Sequence, residues 1–343
     1  MVDAASSHPP ADPLAGVLDL VRLRGTVLGV AELGAPWGLR SPGFEDLAVH
    51  IVVRGSAHLE LARRRQSLAL RAGDVALVAA GQVHAIRDAP RSGVVSFRRL
   101  RRAPRVDSRT VRWGGDGPRT TLVVGCLELD AAGRDLLTAA LPPVVHLPAE
   151  AASAGQLGLV HALAGEVARP GLGAEPVLTR LAELLFIQAL RTCIAAGTAE
   201  HGWLRALADP AIARALAAVH ADPGADWTVA ALAARAGMSR SAFAPAFHRL
   251  VGEPPLAYVT TWRMRTAARA LEQDAAVSLK ELAARVGYGS DEAFSRAFRL
   301  GRRAPGPVPP HRARGQDRGP PAPPRPRPRR TAPLIPTCPS GHS

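Results

Sequence analysis

The sequence predicts an α+β chain: an N-terminal antiparallel β barrel or sandwich, then a helical segment, then an all-α region made of two tandem helix-turn-helix units. Three observations predict it. Short apolar runs separated by glycine turns continue to Leu147, the apolar period then lengthens to that of a helix, and one helical pattern occurs twice near the C-terminus. With 343 residues, 47% of them hydrophobic, and a mean hydropathy of +0.03, the chain can build more than one core.

Composition narrows the function before any motif is read. No apolar run approaches the roughly 20 residues a membrane helix needs, and the start MVDAASSHPPADP has neither a basic head nor an apolar stretch, which predicts a cytoplasmic protein without a membrane partner. Aromatics at 4% disfavour a stacking platform for single-stranded nucleic acid. Cys126, Cys193 and Cys338 form no CxxC pair, so no structural zinc site is expected. The chain also contains no GxSxG, Walker loop, HExxH or paired catalytic carboxylates, so no enzyme is expected. Of the net charge of +14, more than half sits in residues 301–343, where nine arginines face one aspartate among 13 of the 31 prolines. That composition predicts a disordered tail with a sequence-independent attraction to phosphates. Residues 1–11 read as a disordered start.

Within residues 12–147 the segment AVHIVVRGSAHLEL gives a strand, a turn at Gly55 and an alternating strand with Ala57, Leu59 and Leu61 on one face. SLALRAGDVALVAAGQVHAI places a turn at Ala72-Gly73-Asp74 and another at Gly81-Gln82, and TTLVVGCLEL adds a further strand. The run Arg98, Arg99, Arg101, Arg102 and Arg105 lacks a glycine-rich cradle and reads as a solvated loop. Residues 148–208 change period: 154–168 and 175–197 read as amphipathic helices, and the wide apolar stripe of the second predicts packing together with a dimer contact.

Residues 209–300 hold the repeat. LAARAGMSRSAFAPAF begins at Leu232 and LAARVGYGSDEAFSRAF at Leu282. In the first copy Thr228 caps one helix, Gly237 ends it, Ser239 caps the next, and Phe243, Phe247 and Leu250 recur at helical spacing. In the second copy Ser278 and Glu281 form a capping-box pattern and Ser290 caps the last helix. The intervening PPLAYVTTWRMRTAARALEQ fits one long helix with prolines at its start, a rigid connector holding two recognition helices at a fixed separation.

Over residues 209–300 these motifs resemble the DNA-binding domain of the AraC-type transcription regulators. The stretches LRGTVLGVAELGAPWGLR, VHIVVRGSAHLEL and RAGDVALVAAGQVHAIRD resemble the cupin-type sensor domain of one branch of that family. The resemblance implies an effector-responsive homodimer, an activator or repressor, that reads two successive major grooves of double-stranded DNA and recruits or blocks RNA polymerase. The DNA-facing positions would be Ser239, Arg240, Ser241, Ala244, Pro245 and Arg249 in the first unit. In the second they would be Ser290, Asp291, Glu292, Ser295, Arg296 and Arg299, where arginine can fork onto guanine and a carboxylate can accept from cytosine. Pro245 removes one hydrogen bond from its helix and predicts a kink there. After the second unit the family's phenylalanine-glycine pair and closing tyrosine are replaced by LGRRAPGPVPPHR.

In the cupin part, Trp37, His50 and His84 would line the effector pocket. A metal at His50 and His84 has only these two donors in the pattern, so no cofactor is assigned. Two alternatives remain on the sequence: an oxygenase-like cupin metalloenzyme with an incidental DNA-binding half, and a sensing, dimerising regulator whose altered C-terminus impairs its grip on DNA.

Overall fold

A computed structural model of the chain describes residues 12–303 apart from positions 22, 63–66, 108, 139, 200–201 and 275–276. The expected disordered start, and the expected tail from position 304, lie outside the described residues.

The described residues open on a helix where short apolar runs predicted a strand-rich start. Asp12 accepts from Leu14 N at 2.9 Å and Pro13 takes the first helical position, so α1 (Pro13–Leu20) is capped and pre-set at once. Eleven strands follow among the described residues: β1 (Leu23–Gly34), β2 (Gly38–Ser41), β3 (Leu47–Arg54), β4 (Ser56–Leu61), β5 (Ser67–Arg71), β6 (Val75–Val78), β7 (His84–Arg87), β8 (Val95–Ser96), β9 (Thr110–Gly114), β10 (Arg119–Leu129) and β11 (Val144–Leu147). They form two sheets, ordered β11-β6-β3-β10-β1-β9 and β5-β4-β7-β2-β8. The pairing is antiparallel except for β1 with β9 and β2 with β8, which are parallel. The turns fall on Gly55, Gly73 and Gly81, all at positive φ, as the sequence predicted. Arg98, Arg99, Arg101 and Arg102 of the arginine run fall in a 3-10 turn, Phe97–Arg102, that also holds buried Leu100, and Arg105 follows in an isolated bridge to Val111.

The six-stranded sheet is covered on both faces, which explains why β3 reads as an almost unbroken apolar run. Leu47, Val49 and Ile51 of β3 and Val75 and Leu77 of β6 face one core. Their neighbours Ala48, Val52, Ala76 and Val78 face the other, with Leu39, Leu59 and Ile86 of the second sheet and Trp37 just ahead of β2. The first core is closed by helices: α2 (Ala131–Thr138) supplies Leu136 and Leu137, α3 (Ala154–Ala168) supplies Val160, Leu163 and Val167, and α4 (Ala174–Ala196) supplies Leu178, Ala182, Leu185 and Ala189. The predicted spans of α3 and α4 match within a residue. Val177 and Leu184 of α4 stay 41% and 52% exposed, so the stripe is wider than the sheet it covers.

The remaining helices are α5 (Trp203–Ala206), α6 (Pro210–Ala221), α7 (Val229–Ala236), α8 (Arg240–Val251), α9 (Pro255–Gln273), α10 (Leu279–Arg285) and α11 (Asp291–Arg303). The caps lie where the repeat put them. Thr228 accepts from Ala231 N at 3.1 Å, Gly237 takes φ +70°, and Ser278 accepts from Glu281 N at 3.1 Å. The first helix-turn-helix unit, with Leu232, Phe243, Phe247, Tyr258 and Trp262, shares the apolar core of α2, α3 and α4. The second unit has a core of its own, built from Met264, Ala267, Leu282, Val286 and Phe294.

Candidate functional site

Each recognition helix is started by a serine. Ser239 Oγ accepts from Ala242 N at 3.3 Å and lies 3.1 Å from Ser241 Oγ, and Ser290 Oγ accepts from Ala293 N at 3.2 Å. Buried Phe243 and Phe247 hold α8 by one face, and buried Phe294 holds α11. The opposite faces point outward. On α8 and its cap, Ser239, Arg240, Ser241, Pro245 and Arg249 are exposed and Ala244 is half-buried. On α11 and its cap, Ser290, Asp291, Glu292, Arg296 and Arg299 are exposed and Ser295 is half-buried. Helix α8 continues through Pro245 from Arg240 to Val251.

The arginines of this half divide by role. Arg214 donates to Ala236 O at 2.7 Å and so completes the end of α7, while Arg263 and Arg269 are held among backbone carbonyls and carboxylates. Arg240, Arg249 and Arg296 make no ion pair or hydrogen bond among the described residues, and Arg299 bonds only to Ser295 O of its own helix, at 3.2 Å. Unpaired exposed guanidiniums at these helix faces remain available to phosphates or base edges.

The sequence reading missed the arginines and the histidine that the fold turns inward. Arg269 is buried beside Asp130, and His220 is bonded to both Pro13 O and Tyr258 Oη. The signal for Arg269 was present: it falls between Ala267 and Ala270 on the apolar stripe of α9, where a charge needs a partner.

In the strand-rich half, His50 of β3 and His84 of β7 face each other from the two sheets, Nε2 to Nε2 at 2.9 Å. His84 Nδ1 lies 2.9 Å from Gln82 O, which can only accept, so the proton of His84 is on Nδ1 and its Nε2 accepts from His50 Nε2–H. His50 Nδ1 is then a bare acceptor, buried and without a partner among the described residues. The Phe97 ring lies 5.9 Å from that of His50. Trp37 is buried in the inter-sheet core with its Nε1–H also unpartnered. Burial first, and then the neighbouring His84, holds His50 well below the usual imidazole range; burial lowers His84 too, against the opposing bond to Gln82 O. Both rings are therefore neutral at pH 7. Neutral imidazoles are the form that ligates metals, yet among the described residues no set of three His, Cys, Asp or Glu side chains converges here or elsewhere.

Comparison with known proteins places both halves. A cupin family model matches residues 12–195 and a helix-turn-helix domain model matches residues 232–301. A putative AraC-like transcription regulator of Streptomyces lividans is 33% identical over 294 residues, covering 84% of this chain and 94% of the relative. The HTH-type transcriptional regulator AlkR of Acinetobacter baylyi is 32% identical over 306 residues, covering 84% and 95%. Among solved structures, the DNA-binding domain of AdpA in complex with a target DNA is 37% identical, covering 27% of this chain and 81% of that one, with a TM-score of 0.25. No helix among the described residues is long and apolar enough to cross a membrane.

Proposed function

Since the chain belongs to the AraC-like transcription regulators, with a cupin domain ahead of a helix-turn-helix domain, we propose that α8 and α11 read two successive major grooves under the control of an effector held between the sheets. The protein is a sequence-specific DNA-binding transcription regulator. The observation that carries the two-groove reading is the pair of outward helix faces with free guanidiniums, Arg240 and Arg249 on one and Arg296 on the other. RNA polymerase is the further partner such a regulator would recruit or block.

Fluorescence anisotropy on the duplex upstream of its own gene, across a salt series, tests this reading. The full chain and a chain ending at Arg303 should both prefer that duplex to random DNA, with affinity falling steeply as salt rises. Equal weak binding to both duplexes by both chains would refute it. Replacing Arg296 by alanine should cost about 1–3 kcal/mol on the preferred site and relax selectivity at one base pair; a uniform loss on every sequence would make it a phosphate contact instead.

The effector reading rests on two buried groups without partners among the described residues, the His50 Nδ1 acceptor and the Trp37 Nε1–H donor. A small ligand carrying a donor and an acceptor on an apolar frame would complement them. The homodimer reading rests on α4, where Val177 and Leu184 extend the apolar stripe beyond the sheet. Leu184→Glu should shift sedimentation from dimer to monomer while leaving the thermal transition within a few degrees, because Leu184 is half-exposed in the single chain.

A further inference from the structure

The two reading units do not share a core, so something other than common packing must fix their relative placement. Helix α9 enters both cores: Tyr258, Val259 and Trp262 belong to the first, and Met264, Ala267 and Ala270 to the second. Arg263 stands at the changeover. Its Nε donates to Pro223 O at 2.7 Å and its Nη2 to Ala225 O at 2.8 Å, both in the loop between α6 and α7 of the first unit. Its Nη1 reaches Gly287 O at 3.5 Å, and its guanidinium carbon lies 5.8 Å from the centre of the Tyr288 ring, both in the turn of the second unit.

The two loops that Arg263 joins meet backbone to backbone. A Cβ on Gly287 would lie 2.4 Å from Gly224 O and 2.7 Å from Arg263 Nη2, and one on Gly224 would lie 2.8 Å from Arg285 O. The first loop is itself fixed, since Asp222 Oδ1 accepts from Ala225 N at 3.1 Å and Trp227 Nε1 donates to Asp222 O at 2.8 Å. A planar fork with donors on three edges suits this junction, and a lysine ammonium could not reach the same carbonyls in one geometry.

We propose that Arg263 is a positioning residue that sets the separation and rotation of α8 relative to α11, and through it the spacing between the two blocks of bases the regulator accepts. The proposal rests on the two-groove reading. Without the fork, the second unit keeps its own core but loses its angular reference to the first. The variants are Arg263→Gln, Arg263→Lys and, as a route that leaves the arginine in place, Gly224→Ala.

Two measurements on the full chain test it. Spin labels carried by noncanonical residues at positions 248 and 293, both exposed, report the distance between α8 and α11 in the free protein. The distribution should be narrow for the unaltered chain and broad for all three variants, with helical content retained. Selection from a pool of randomised duplexes should give the unaltered chain two blocks at one spacing, with about a tenfold loss for a one-base-pair change. The variants should select the same two blocks at several spacings, with less than about a threefold loss for that change. A narrow distribution in the variants, or one retained spacing, overturns the role of Arg263. If the unaltered chain selects no paired blocks, the two-groove reading falls, and the distance distribution alone then decides for or against Arg263 as the positioning residue.

Discussion

Replacing Asp130 by alanine is expected to lower the unfolding free energy by about 3–5 kcal/mol, read from urea denaturation at pH 7. Asp130 stands at the end of β10 and Arg269 on α9, and the carboxylate Oδ2 meets Nη1 at 3.0 Å with the two side chains 4% and 9% exposed. Asp130 Oδ1 also accepts from Gly133 N at 2.7 Å in the first turn of α2, so the substitution removes a helix start as well. Arg269 already carries Nε and Nη2 atoms without partners among the described residues, and its other carboxylate, Glu272, is half-exposed. Alanine at 130 would leave the buried guanidinium with only the half-exposed Glu272 as a carboxylate partner, and that loss of its buried counter-charge is the main cost. The double variant Asp130→Ala/Arg269→Met should recover most of the loss, because it removes both charges from the interior. A single substitution costing less than about 1 kcal/mol, or a double variant no better than the single, would show that the pair does not anchor the reader to the sensor.

What the sequence disclosed depended on how local the cause was. Gly55, Gly73 and Gly237 act within their own turns, and Thr228, Ser239, Ser278 and Ser290 cap the helix that begins beside them, so these elements were readable to within a residue or two. The helix at Pro13–Leu20 was equally local, with Asp12 and Pro13 as its start signal, but its eight residues were read with the strand-rich pattern that follows. The parallel pairings of β1 with β9 and β2 with β8 were not legible, since parallel neighbours are joined by crossovers whose ends no periodicity marks. At the sites, the resemblance supplied the twelve candidate DNA-binding positions, ten of which are exposed while Ala244 and Ser295 are half-buried, and it also singled out His50 and His84, which meet across the sheets. The inward-turned charges escaped because their partners are far away in the chain. Arg269 meets Asp130 across 139 residues, and His220 meets Pro13 across 207.

That last contact carries the second large effect. His220 of α6 lies between α1 and α9: its ring stacks 3.7 Å from that of Trp262, its Nδ1 sits 2.9 Å from Pro13 O, and its Nε2 sits 2.7 Å from Tyr258 Oη. Pro13 O can only accept, so Nδ1 carries the proton and Nε2 receives the Tyr258 hydroxyl, which burial keeps protonated far above neutral pH. Gly16 of α1 leaves no room for movement, since a Cβ there would come within 2.7 Å of His220 Cβ. Burial, opposed by the bond to Pro13 O, lowers His220 from 6.5 to about 4. The folded pKa is the depressed one, so between these values the unfolded chain binds a proton the folded chain refuses. The stabilisation is therefore complete above pH 6.5 and is lost as pH falls towards 4, by on the order of 3 kcal/mol in all. His50 and His84 titrate in the same direction, so the contribution of His220 is isolated by difference. Stability measured from pH 7 to pH 4 should fall less steeply for His220→Gln than for the unaltered chain, the two curves converging towards acid. Parallel curves would mean that His220 takes its proton as readily folded as unfolded.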